Sequence, residues 1–447
     1  MQLGAVAVVG WLTWASCSVY DESMFQQQPL DEASGGSGAT EAGETGSGIC
    51  ASSEQPPDKP AAGDPGTDLR DIVVAMRTID FGEPAVVDGS NTGFRDLGYD
   101  LDRICTTTEN NQLRNSSCIK PNFATAVVGC TYCGNLNDFQ NGRDNGFGRL
   151  IAEVAEKISG FGTPAYNAQI DEGKVSLLWR VRGYNGQPND DKVELTLLTP
   201  AAMSAQANNT RTKPEWDGLD IWPISGDSLN TNASGQPDIS NPKFRDENAY
   251  VRDGVIVGSL TQADLRLRIG VSATLVVELL LQFKQSFFTA ELKQVPRIVA
   301  SADGGTKTEL LWAMQNGRIA GRLLVNDLLR QLDQFPDTTA LSKPLCMNSA
   351  AYPRFRDIVC SFVDICGTLC SPTTPCDAIS VGMGFEAEQA IVGDIYQLQP
   401  LQDRCPGDPG EDDCFNPVVI DGGTSSGGTG GTGGSSASGA AGAAGAN

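Results

Sequence analysis

The chain predicts a mainly β fold: an antiparallel β-sandwich, jelly-roll-like, with a few short helices and disulfide staples. Three observations predict it. Apolar and polar residues alternate with period two over several segments. Dipeptides that favour tight turns separate apolar runs. Thirteen cysteines occur in a chain with no histidine, which suits an exported, disulfide-bonded body.

Residues 174–182 place Val175, Leu177, Trp179 and Val181 on one face. Val193, Leu195 and Leu197 repeat the pattern after the polar loop YNGQPNDD, so the two segments read as a hairpin. Residues 264–271 set Leu265, Leu267, Ile269 and Val271 against Asp264, Arg266 and Arg268. Residues 274–292 are longer and more apolar, a strand region buried on both faces for part of its length. Asp253-Gly254 and Asn316-Gly317 each lie between apolar runs and tolerate the positive φ of type I′ hairpin turns. Phe147, Leu150, Ile151, Val154 and Ile158 recur at helical spacing. The segment DLLRQLDQF is a second helix, with Asn326 or Asp327 as its cap.

Around these elements the chain divides by composition. Residues 69–200 form the first part of the β-rich body and 250–420 the second, cysteine-rich toward its end. Between them, 201–249 is polar and rich in Asn, Ser and Pro, a long loop or a linker. The tail 421–447 is almost wholly Gly, Ser, Thr and Ala, too apolar-poor to fold.

Residues 3–15 form an apolar run too short to span a bilayer but suited to a signal peptide. The run ends in Trp14-Ala15-Ser16-Cys17. Small residues just before a cysteine resemble the lipobox of bacterial lipoproteins. The resemblance implies a cleaved signal at 1–16 and a lipid-bearing Cys17 as the mature N-terminus. Ser18, not Asp, follows the cysteine, and in that family this implies the outer membrane. Residues 17–68 read as a disordered spacer holding the body off the membrane. The expected location is the cell envelope, lipid-anchored at the outer membrane, or the secreted fraction.

With Cys17 assigned to lipid, twelve cysteines remain as disulfide candidates: Cys50, Cys105, Cys118, Cys130, Cys133, Cys346, Cys360, Cys366, Cys370, Cys376, Cys405 and Cys414. Their pairing is open, and Cys50 could complete the late set. Cys130-Thr131-Tyr132-Cys133 has the spacing of a redox or zinc pair, but a loop follows it, so a structural bridge is expected.

A net charge of −23 repels phosphate backbones and argues against nucleic acid as a partner. The absence of histidine removes Ser-His-Asp and Cys-His catalysis and His-ligated zinc. Ser117-Cys118-Ile119-Lys120 matches SxxK, but neither SDN nor KTG follows.

Two kinds of site remain. Asp88, Asn91, Asp96, Asp100 and Asp102 supply hard oxygens in a Gly-containing loop, the composition calcium needs. The competing reading is a turn whose Asp and Asn bond their own backbone. Asn141–Gly146 is a second such loop, readable also as the cap of the helix after it. Trp216, Asp217, Asp220 and Trp222 offer aromatic faces beside carboxylates, as sugar sites do, though rings folded back onto the body are the stronger expectation. The function expected is a non-catalytic envelope lipoprotein acting as a binding or surface-interaction module. Its partner would be a glycan, an extracellular polymer or an envelope protein. The alternatives are a carboxylate-dependent hydrolase such as a glycosidase, and a purely structural envelope component.

Overall fold

Period-two alternation buries one face of each strand, and here that face closes on itself. The computed structural model describes residues 50–415, apart from 51, 67–68, 84–92, 110–111, 122–126, 128–129, 135, 158–160, 207–210, 271–275, 302–303, 338–339, 399–400 and 409–411. The expected signal peptide, Cys17 and the tail 421–447 lie outside the described residues.

Eight strands form one closed antiparallel barrel. They are β1 (Arg70–Asp80), β2 (Leu178–Tyr184), β3 (Asp190–Leu198), β4 (Phe244–Arg252), β5 (Val255–Gly270), β6 (Val276–Ala300), β7 (Thr306–Leu324) and β8 (Ala378–Gln389). Each pairs with its neighbours in this order, and β8 returns to β1, with Val74 opposite Gln389 and Asp80 opposite Gly384. This is an up-and-down meander, which leaves no sheet edge open. The expected antiparallel, disulfide-stapled β class with few helices holds. The sheet is a single barrel, however, where a jelly-roll sandwich has two facing sheets. Alternation reports only that one face is buried; it is the same for both arrangements.

The turn dipeptides behaved differently from one another. Asp253 (φ 52°) and Gly254 (φ 82°) make the tight β4–β5 turn. Asn316 also has positive φ (50°), but it lies inside β7 as a bulge, where the register with β8 shifts between Met314 and Gly317. Positive φ serves a bulge as well as a turn. Gly317 is needed for space: a Cβ there would lie 2.3 Å from the Phe385 ring. A second bulge at Gln285 (φ 46°) shifts the β6–β7 register. It reverses the parity of β6, so that Val277, Leu279, Leu281 and Phe283 are buried before it and Phe288, Ala290 and Leu292 after it. That reversal explains why 274–292 reads as apolar on both faces.

The barrel is filled. Trp179 stacks on Phe385 at 4.4 Å between centroids, and Phe288 lies 5.0 Å from Trp179 and 5.1 Å from Phe385. A cavity of about 20 Å³ remains beside them. Eight strands give an interior that side chains alone can fill.

The long connections carry the helices. Between β1 and β2 lie α1 (Gly146–Lys157) and α2 (Thr163–Asp171); between β7 and β8 lie α3 (Val325–Arg330) and α4 (Tyr352–Cys360). Phe147, Leu150 and Ile151 of α1 enter the main core. The second expected helix exists, but it begins at Val325 with no side-chain cap, so neither Asn326 nor Asp327 caps it, and it tightens into a 3-10 turn at Gln331–Gln334. Residues 201–249 are no linker. Described parts of that segment hold a strand, Ile221–Ser225, paired parallel with Ile391–Tyr396, and then the start of β4. Apolar residues such as Trp222, Ile224 and Leu229 anchor it in a second core outside the barrel, against Ala75, Leu178 and Leu198. The two expected halves are therefore one barrel.

Five bridges staple the body: Cys50–Cys105, Cys118–Cys376, Cys130–Cys133, Cys346–Cys405 and Cys360–Cys414. Cys50 joins the early group, not the late one. Cys366 and Cys370 are thiols.

Candidate metal centre

The expected spacer ends well before residue 68. From Cys50 the chain is a strap bonded to the barrel loops. Glu54 N donates to Asn141 O at 2.9 Å, and Asp100 N donates to Glu54 O at 2.9 Å. The Glu54 carboxylate bridges Arg143 (2.8 Å) and Arg318 (2.5 Å). Burial opposes its ionisation, but the two guanidiniums outweigh burial and hold the carboxyl below its ordinary value. Further on, Asn189 N donates to the Asp64 carboxylate. Charged and polar partners thus replace the apolar residues that the segment lacks.

This strap covers the place where the two acidic loops of the sequence meet. Asp100, Asp102 and Asp144 each present a carboxylate oxygen within 4.8 Å of the other two. Asp100 is 3 % exposed and Asp144 is 3 % exposed. Short local devices aim them. Asp144 N donates to Tyr99 O (3.0 Å) and Leu101 N donates to Asp144 Oδ2 (2.7 Å), so the two loops hold each other. Ile104 N donates to Asp102 Oδ1, fixing that side chain in a turn. Gly142 (φ 72°) passes close to Asp100: a Cβ there would be 3.0 Å from Asp100 Oδ2. Asn145 caps α1, accepting from Gly148 N at 2.9 Å, and ties it to Gly382 of β8. The second loop is therefore both a helix cap and part of the carboxylate cluster.

Like charges this close disfavour ionisation without a cation. Burial, reinforced by Asp138 and Asp102, pushes the Asp144 carboxyl well above its ordinary value. Burial and then Asp102 raise Asp100. Burial raises Asp138 strongly as well, although its Oδ2 accepts from Thr106 N. Among the three clustered carboxylates, Asp100 Oδ1 is buried and has no hydrogen-bond partner among the described residues. Leaving such an oxygen bare is costly. A divalent cation held by three carboxylates would satisfy it and neutralise most of the charge. Hard oxygens on irregular loops suit calcium, with backbone carbonyls or water completing six to eight ligands.

No family model, curated protein or solved structure matches this chain. The site therefore has to be read from its own atoms.

Of the calcium residues expected from sequence, Asp100 and Asp102 are in the cluster. Asp96 is not; it pairs with Arg143 at 3.4 Å. Asp88 and Asn91 lie outside the described residues. Asp144, from the second loop, completes the set. The sequence carried no sign of Asp138, whose burial comes only from the tertiary fold.

The sugar-platform reading is corrected. Trp222 is fully buried and Asp220 is 1 % exposed. Arg211 grips Asp217 at 2.6 and 2.8 Å and Asp220 at 3.1 Å, while Asp220 also accepts from the amides of Glu215 and Trp216. Trp216 packs under Arg77. These residues form a clamp that pins the segment to the barrel: Trp222 has no exposed face, and the half-buried Trp216 is held against Arg77. The SxxK match is equally structural: Ser117 is buried and Lys120 donates to the carbonyl of Asp364. Cys130–Cys133 is closed as a bridge.

Proposed function

We propose that this chain is a non-catalytic envelope lipoprotein, tethered through Cys17, whose barrel is a calcium-braced surface-interaction module. The observation that carries this reading is the cluster of Asp100, Asp102 and Asp144 beneath the strap, with its orphaned oxygen. The strap is where the spacer reaches the body. The Cys50–Cys105 bridge and the Glu54–Asp100 backbone bond fasten it beside the cluster. A cation there locks the root of the tether, so that pulling on the spacer loads the barrel and not a loose loop.

Other features favour surface contact over catalysis or carriage. The filled interior leaves no room for a ligand, since binding cavities usually exceed about 300 Å³. A groove of about 390 Å³ beside α4 contains Asp333, Asp403 and Asp408. Each of these accepts from a backbone amide, of Arg404, Cys405 and Met347 respectively, as turn residues do. With Trp216 and Trp222 spent on packing, an envelope protein is a better partner than a glycan.

Native mass spectrometry of the detergent-solubilised chain tests the metal reading. One calcium per chain is expected, lost on chelation and missing in Asp144→Asn. A chain that stays metal-free in millimolar calcium refutes it. The tether is tested separately: cells fed a labelled fatty acid should label the wild type and not Cys17→Ser.

A further inference from the structure

Twelve cysteines would make six bridges, yet five are closed. Cys366 and Cys370 remain as thiols side by side, with the Cys366 amide donating to Cys370 Sγ at 3.1 Å. Their sulfurs and that of Cys118 all lie within 4.8 Å of one another. Two sulfurs this near each other need move only a few ångströms to bond.

The two thiols are not equivalent. Cys366 is 2 % exposed, whereas Cys370 is half-buried in a loop whose neighbour Leu369 is 89 % exposed. Burial and the neighbouring thiol push the Cys366 thiol up to about 12. The nucleophile in exchange is the thiolate, and it must be reached from solvent. Cys370 meets the second condition and Cys366 does not.

The backbone around them is already fixed. Ile119 N donates to Thr374 O and Cys376 N to Ile119 O, both at 2.8 Å, beside the Cys118–Cys376 bridge. Ile365 and Ala378 exchange backbone bonds, and Gly367 N donates to Asp377 Oδ1. Closing Cys366–Cys370 spans a loop of a few residues inside this scaffold, so it constrains the unfolded chain far less than Cys118–Cys376, which spans 258 residues. A short, solvent-reachable bridge of that kind is the labile sort.

We propose that Cys366 and Cys370 are a redox-active couple, a thiol–disulfide exchange site in which Cys370 attacks and Cys366 resolves. The co-reactant is an external disulfide, of a small thiol or of a thiol oxidoreductase. The Cys370 thiolate attacks one of its sulfurs and one thiolate leaves. Cys366, losing its proton, then attacks Cys370 Sγ and the second thiolate leaves. The couple gives up two electrons and two protons, and the external disulfide becomes two thiols. The reverse reaction reopens the pair.

The test is a redox titration of the Cys17→Ser protein in mixtures of reduced and oxidised glutathione. Thiols are trapped by alkylation and located by peptide mapping. A two-thiol step at Cys366 and Cys370 with the four long-range bridges closed throughout is the expected result, the short, half-buried Cys130–Cys133 bridge being mapped as a separate step. In Cys366→Ser the step should disappear and a persistent glutathione adduct should sit on Cys370; in Cys370→Ser no adduct should form on Cys366. The proposal is overturned if the pair stays reduced across the whole range, or opens only together with the four long-range bridges.

Discussion

Trp179→Ala is expected to cost about 3–5 kcal/mol of folding stability. The indole packs against the rings of both Phe385 and Phe288, which also stack on each other, and is 1 % exposed. Its removal leaves a hole beside a cavity that already holds about 20 Å³. Collapse into that hole is resisted, because the neighbours stand on strands whose spacing is set by backbone ladders on both sides. Gly317 cannot shift inward, since the Phe385 ring occupies the space its side chain would take. Denaturant unfolding should show a lower midpoint at an unchanged slope. Trp179→Phe should lose much less, since most of the stacked area survives. A loss below about 1 kcal/mol for the alanine variant would mean that the interior repacks freely and that the aromatic stack is not the centre of the core.

The strands themselves were legible because half-burial imposes a period of two, and Val175 to Val181 and Val193 to Leu197 carry it without interruption. Closure was not legible. Val193 on β3 and Ile256 on β5 look the same whether the buried face meets a second sheet or the far wall of a barrel. Bulges made this harder: at Gln285 and Asn316 the pattern changes parity within one strand, which from sequence looks like a two-faced strand or a turn. The site was legible in halves. Asp100 and Asp102 stood out as hard ligands in one loop and Asp144 in another, but their meeting depends on Leu101 bonding Asp144 and on a strap anchored by Glu54. The strap was read as spacer because its composition lacks apolar residues. It is ordered by ion pairs with Arg143 and Arg318, which lie far along the chain. Trp222 shows the opposite case: the general tendency of large aromatics to be buried was the better guide, and the acids beside it proved to be partners for Arg211.

At neutral pH the barrel is expected to melt about 3–4 °C higher in calcium than in chelator, and the gap should narrow as the pH falls. Saturation one hundred-fold above the dissociation constant contributes about 2.7 kcal/mol, and each kcal/mol moves the midpoint of a body this large by about 1–1.5 °C. The pH dependence follows from the raised carboxyls. Burial, with neighbouring acids, lifts Asp144, Asp138 and Asp100 above their ordinary values. The folded, metal-free chain therefore holds protons there that the unfolded chain has released. Their contribution favours folding below the unfolded pKa, about 4, and is lost as the pH rises through the folded values. Calcium takes the place of those protons, so the calcium-bound chain should not show this loss. Groups such as Glu54, Asp71 and Asp217 are held low by arginines and destabilise both forms alike on acidification. The difference between the two melting curves therefore isolates the cluster. Asp144→Asn makes one ligand permanently neutral: it should abolish the calcium gap and raise the chelated melting point at neutral pH above that of the wild type. Parallel curves in calcium and chelator from pH 4 to 8, with Asp144→Asn merely less stable in both, would reduce the cluster to three buried, protonated turn residues.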